Sequence, residues 1–152
     1  MATAIKNIIL DDLVTRLDAI TDDSGNDLFQ YVERGHPATV ADNQLPAAWV
    51  VGLDERPVSG QHEEMAINDL PVGFVLQGKQ TRFGDIDTEL VDLEVRVRKS
   101  LEGYQPSGGG KFEMTYRSTI SPMSNQNIPV GRVMIVMLVR YYHLRGDPFA
   151  LS

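Results

Sequence analysis

Apolar residues recur at every fourth position near the start of the chain. Ile5, Ile9, Leu13 and Leu17 follow i, i+4 spacing, with Ile8 and Ile20 flanking the same stripe, which predicts a helix over residues 4–20. Thr3 is the expected N-cap. The turn formers Thr21-Asp22-Asp23-Ser24-Gly25-Asn26 should end the helix. The pattern then changes. Residues 28–34 are short and mixed, with Phe29, Tyr31 and Val32 favouring strand, until Gly35-His36-Pro37 breaks it. Residues 47–53 read as a strand with Ala47, Trp49, Val51 and Leu53 on one face. The polar stretch from Asp54 to Asp69 reads as a long loop, of the kind that is usually functional or mobile. Val72, Phe74 and Leu76 alternate in the next strand, which should end near Gly78.

A second helix is predicted over residues 86–102, with Leu90, Leu93, Val97 and Leu101 as its apolar stripe. Asp85, Asp87 and Glu89 lie at its start and Arg96, Arg98 and Lys99 near its end, an order that complements the helix dipole. The basic trio therefore needs no ligand to explain it. Gly103 suits a C-cap, and residues 105–110 read as a flexible link. Residues 111–120 alternate, Phe112, Met114 and Tyr116 facing one way and Glu113, Thr115 and Arg117 the other. A polar loop, 121–129, precedes the longest predicted strand, 130–144. Its middle, Val133 to Val139, is apolar at every position, so both of its faces should be buried in the centre of a sheet. Leu138 is then a core residue, and Leu138→Asp should unfold the domain. At roughly 50 Å, the strand should project beyond the core or bend at one end. The segregated order of helices and strands predicts an α+β fold: a mainly antiparallel sheet of four to five strands with two helices packed on one face.

The length, 152 residues, fits a single domain, 1–152. A chain of this size buries about 70% of its unfolded surface without help from metals or disulfides, and the absence of cysteine rules out disulfides and thiolate metal sites. The formal net charge of −7 argues against binding nucleic acid by neutralising phosphates. Met1 to Ile20, interrupted by Asp11, Asp12 and Arg16, does not read as a signal peptide, and the longest apolar run is too short for a membrane helix.

Several motifs resemble known chemistry and fall short of it. Gly108-Gly109-Gly110-Lys111 lacks the Ser or Thr, the preceding strand and the following helix of a phosphate loop. His62-Glu63-Glu64 lacks the second His that a zinc-protease helix needs, since position 66 is Ala. His36, His62 and His143 show no metal-ligand spacing. Asp22, Ser24, Asn26 and Glu33 match calcium-loop positions, but Asp27 stands where glycine is required, so a capping turn is the better reading. Asp11 and Asp12 are neighbours on a helix and point apart, which does not suit an acid/base pair. No serine sits in a recognisable nucleophile elbow. The expectation is a protein without catalytic, metal or cofactor-binding residues, and not an enzyme. The reading from another class is a small ligand-binding domain, or an enzyme with an unmarked site.

The layout resembles the tail-terminator (tail-completion) proteins of tailed bacteriophages. The parts that carry the resemblance are the amphipathic helix Ile5 to Ile20, the strand Leu45-Pro46-Ala47-Ala48-Trp49-Val50-Val51, the strand Val72-Gly73-Phe74-Val75-Leu76, and the helix opening Asp87-Thr88-Glu89-Leu90. The closing strands, Phe112 to Ile120 and Val130 to Leu144, complete it. The resemblance implies a structural virion protein that forms a hexameric ring on the tail tube, stops tube polymerisation and offers a surface to the head or neck. Its implied partners are copies of itself, the tail tube protein and a head/neck connector protein. DNA would pass through the lumen without specific binding, there would be no membrane contact, and the location would be the virion tail or neck after assembly in the host cytoplasm. A head–tail neck protein is the near alternative, and a non-viral oligomeric adaptor a further one. Long loops and a projecting strand end are natural contact surfaces. The expected interface residues are accordingly Arg56, His62, Glu63, Glu64, Met123, Asn125, Tyr142 and Arg145.

Overall fold

Two helices form where the apolar stripes run. The first, α1 (Ile5–Asp18), buries Ile5, Ile9, Leu10, Leu13 and Leu17. Leu10, and not the half-buried Ile8, widens the stripe. The residue at the cap position is Ala4, which offers no side-chain hydrogen bond. Thr3, the expected cap, lies outside the residues that the computed structural model describes: 4–58, 65–79, 83–102, 104, 112–121 and 131–144. Past the end of α1, Asp22 Oδ1 accepts the backbone N–H groups of Ser24 (2.9 Å) and Asn26 (3.0 Å). Gly25 supplies the positive φ of 83° that the bend requires. The calcium-like spacing thus closes a turn. The second helix, α2 (Phe83–Leu101), begins before the predicted start and adds Ile86 to the buried stripe of Leu90, Leu93, Val97 and Leu101. The cap proposed at Gly103 and the link at 105–110 lie outside the described residues.

The strands are β1 (Tyr31–Arg34), β2 (Ala47–Gly52), β3 (Arg56–Pro57), β4 (Met65–Gln77), β5 (Phe112–Ile120) and β6 (Arg132–Leu144). They form one sheet in the order β1-β2-β4-β6-β5, with the two-residue β3 also paired to β4. Every pairing is antiparallel except β1 with β2. The fold is α+β with both helices on one face, as expected, on six strands rather than four to five.

The stretch read as a loop from Asp54 to Asp69 is the largest departure. Arg56 and Pro57 pair with Asp69 and Asn68, and β4 runs from Met65, where the ladder to β6 begins at Leu144. Asn and Asp are poor strand formers in isolation. Here the ladder holds Asn68 opposite Tyr141, and a charge pair holds Asp69 opposite Arg140. The same ladder settles the end of β6. Each of its residues from Arg132 to Leu144 has a partner on β4, so the end expected to project or bend stays within the sheet.

Alternation divides the apolar run of β6 between two faces. Val133, Ile135, Met137 and Val139 are buried under the helices, together with Leu70, Val72, Phe74 and Leu76 of β4. Met134, Val136 and Leu138 point to the opposite face and are only partly buried. The strand is central, but its faces are not equivalent, and Leu138 is not a core residue. Strict alternation also fails in β5. Tyr116 pairs with Met137 and Ser118 with Val136, which makes Arg117 the extra residue of a bulge. The bulge shifts the parity, so Thr119 faces α2 and donates to Glu94 Oε1 (2.5 Å).

Polar contacts tie the helices to the sheet and to each other. Arg34 of β1 donates to Asn7 Oδ1 (2.7 Å) and Asp11 Oδ1 (3.3 Å) of α1. Arg16 Nε donates to the Ser100 carbonyl (2.6 Å), satisfying an end-of-helix acceptor on α2 with a cation where the dipole favours one. Gly52 allows α1 to sit close, because a Cβ there would lie 3.0 Å from Leu10 Cδ1. The basic trio of α2 is mostly engaged. Arg96 pairs with Asp23 (3.1 Å) and Asp92 (2.9 Å), and the Arg98 guanidinium lies 3.8 Å from the Tyr116 ring centroid. Asp11 pairs with Arg34 while Asp12 accepts from the Tyr104 hydroxyl, so the adjacent carboxylates do point apart. Burial, reinforced by Asp12, pushes the Tyr104 phenol above its ordinary range.

Candidate interaction surface

The face of the sheet away from the helices is covered at one end and open at the other. Over β1 and β2, a second small core forms from Ala47, Trp49 and Val51, with Tyr31, Val40, Leu45, Leu53 and Val75 packed against it. The chain between β1 and β2 supplies that cover through Val40 and Leu45. Arg132 pins the arrangement: its guanidinium lies 5.3 Å from the Trp49 ring centroid, and it donates to Gln77 Oε1 (3.0 Å) and the Ala38 carbonyl (3.2 Å). The indole Nε1 of Trp49 is buried and has no hydrogen-bond partner among the described residues.

Beyond this cover, over β4, β6 and β5, lies a shallow cleft of about 430 Å³. Its floor is apolar: Leu53, Pro71, Val136 and Leu138. Its rim carries Asp54, Arg56, Asp69 and Arg117. Asp69 is already committed. Arg140 Nε donates to its Oδ1 (2.8 Å) and Nη2 to its Oδ2 (3.0 Å), a two-pronged pair that holds the guanidinium protonated above its already high range. Arg56 and Arg117 make no ion pair among the described residues, and both are exposed. Alternation from Tyr116 puts Arg117 on this face, and the bulge in β5 brings Ser118, opposite Val136, to the same side. Asp54 on the same rim likewise makes no ion pair among the described residues, so two unpaired arginines and one unpaired carboxylate surround an apolar floor.

A second uncovered surface lies on the helix side. Val91 and Val95 of α2, one turn apart, are 52% and 55% exposed. Asp85 and Asp87, near the start of the same helix, are exposed and make no ion pair among the described residues.

Of the residues expected at an interface, Arg56 lines the cleft. Tyr142 lies on the same sheet face, opposite Ile67 and partly buried, away from the residues that line the cleft. His62, Glu63, Glu64, Met123, Asn125 and Arg145 lie outside the described residues, as does the glycine run before Lys111. Arg117, Leu53, Val136 and Leu138 were not among the expected interface residues, because that expectation rested on long loops and not on the sheet. The signal was present in the doubly apolar run of β6, one face of which had to be covered by something other than the two helices. Val91 and Val95 were equally visible as apolar residues off the stripe of α2.

The geometry suits surface recognition. The cleft is open along the sheet, unlike the enclosed pockets that bury most of a small ligand. Among the described residues, no group of three His, Cys, Asp or Glu side chains comes together to hold a metal ion. His143 instead meets Asn68, ring Nε2 to Nδ2, at 2.7 Å. No helix among the described residues is long and apolar enough to cross a membrane. Compared with known proteins, the sequence matches no protein-family model and no curated protein.

Proposed function

We propose that this chain is a structural virion protein that assembles into a closed ring on the end of a phage tail tube, halts tube growth and presents a surface to the head or neck. The observation that carries the reading is the pair of unlike, uncovered surfaces on opposite sides of the protomer. An apolar cleft with Arg56 and Arg117 on its rim lies on the bare sheet face, and a ridge with Asp87 and two exposed valines lies on the helix layer. A ring of identical subunits needs two different patches that meet head to tail and a rotation that closes. The element order, with a leading helix, a β block, a second helix and two closing strands, is also the layout on which the resemblance to tail terminators rests. The net charge of −7 suits a channel through which DNA passes without being held.

The test uses tail tube protein of the virus that encodes the chain, polymerised with and without it. The expected result is tubes that stop growing, each bearing a ring of density at one end in negative stain. Tubes that lengthen at an unchanged rate with bare ends would refute the role.

A further inference from the structure

We propose that the cleft on the open sheet face is the docking site for the α2 ridge of a second copy of this chain. The proposal rests on the self-assembling ring reading and names the surfaces that would build it. Three observations converge on this occupant.

The first is spacing. Val91 and Val95 are four residues apart on a helix, so their side chains are separated by about 6 Å along its axis. Val136 and Leu138 are two residues apart on β6, about 7 Å along the strand. Two apolar knobs therefore face two apolar floor positions at nearly the same interval. The second is charge. Asp87 lies one turn before Val91 on the ridge, and neither it nor Asp85 makes an ion pair among the described residues. Arg56 and Arg117, on the rim of the cleft, make no ion pair among the described residues. The ridge brings Asp87 beside the valines, with Lys99 one turn beyond Val95, and the cleft offers Arg56 and Arg117, with Asp54 on the same rim, so the contact sets the Asp87 end of the ridge toward the two guanidinium groups. The third is placement. The ridge belongs to the helix layer and the cleft to the opposite face of the sheet. A copy docked through its ridge still exposes its own cleft, so the contact propagates from subunit to subunit.

The chain has no cysteine, so introduced thiols are its only ones. Val95→Cys and Leu138→Cys are made separately and together, and each is checked for a melting curve close to that of the parent. A short bismaleimide then bridges thiols that come together. The expected result is a linked dimer when the two single variants are mixed, none from either variant alone, and a ladder of oligomers from the double variant. Arg117→Glu should weaken self-association roughly tenfold or more, by setting like charges against the ridge.

Cross-linking of Val95→Cys to itself would overturn the proposal in favour of a two-fold contact through the helices. A parent chain that self-associates while the mixture gives no linked dimer would overturn it as well. Imaging the same samples separates this proposal from the ring reading. A ladder without closed rings keeps the docking surfaces and removes the ring, closed rings without a ladder do the reverse, and an unlinked monomer at every concentration removes both.

Discussion

Replacing Ile135 by Asp is expected to leave no cooperatively folded protein at room temperature. Ile135 is fully buried at the centre of β6, paired on one side with Phe74 of β4 and on the other with Thr119 of β5. Its side chain faces the main core beneath the two helices. The change removes a branched apolar side chain, which by itself costs about 2–5 kcal/mol. It also places a carboxyl group among aliphatic side chains, which adds several kcal/mol whether the group ionises or takes up a proton. A domain of this kind has only about 5–15 kcal/mol in total. Circular dichroism during heating checks it: the expected trace has no cooperative transition. A transition within a few degrees of the parent would mean that β6 does not face the core at this position.

Leu138→Asp, three positions along the same strand, is expected to do something different. Its place in an unbroken apolar run suggests a core position. The structure turns it to the other face, partly exposed on the floor of the cleft beside Arg117. A carboxylate there keeps contact with water and gains cations nearby, so the fold should survive with a melting temperature close to that of the parent. Self-association should not survive. Loss of a central apolar contact in an interface costs about 2–4 kcal/mol, or about 30-fold to 1,000-fold in the dissociation constant. Sedimentation velocity over a dilution series reads this directly. A variant that melts like the parent and associates like the parent would remove the open face from the assembly surface.

The contrast between these two positions shows how far the sequence could be read. The helices were legible because their stripes at i, i+4 survive as buried faces: Ile5, Ile9, Leu13 and Leu17 in α1, and Leu90, Leu93, Val97 and Leu101 in α2. Strand β2 was legible too. Ala47, Trp49 and Val51 share a face as alternation required, and they found cover in the chain that precedes them. The beginning of β4 was not legible, because Asn68 and Asp69 have little strand preference of their own and are held by partners more than 70 residues away. The bulge at Arg117 leaves no local mark in the sequence, yet it decides which side Thr119 faces. The candidate surface was the least legible part. Loop length points to Arg56 but not to the sheet residues beside it. Their role depends on which face the helices leave bare.

We propose that this chain assembles with itself into a closed ring. Native mass spectrometry of the unmodified protein over a wide range of concentration, with negative-stain images of the same samples, tests it most directly. The expected result is a single closed species with a central hole, growing at the expense of monomer. A single subunit mass at every concentration, with no ring in the images, would contradict it.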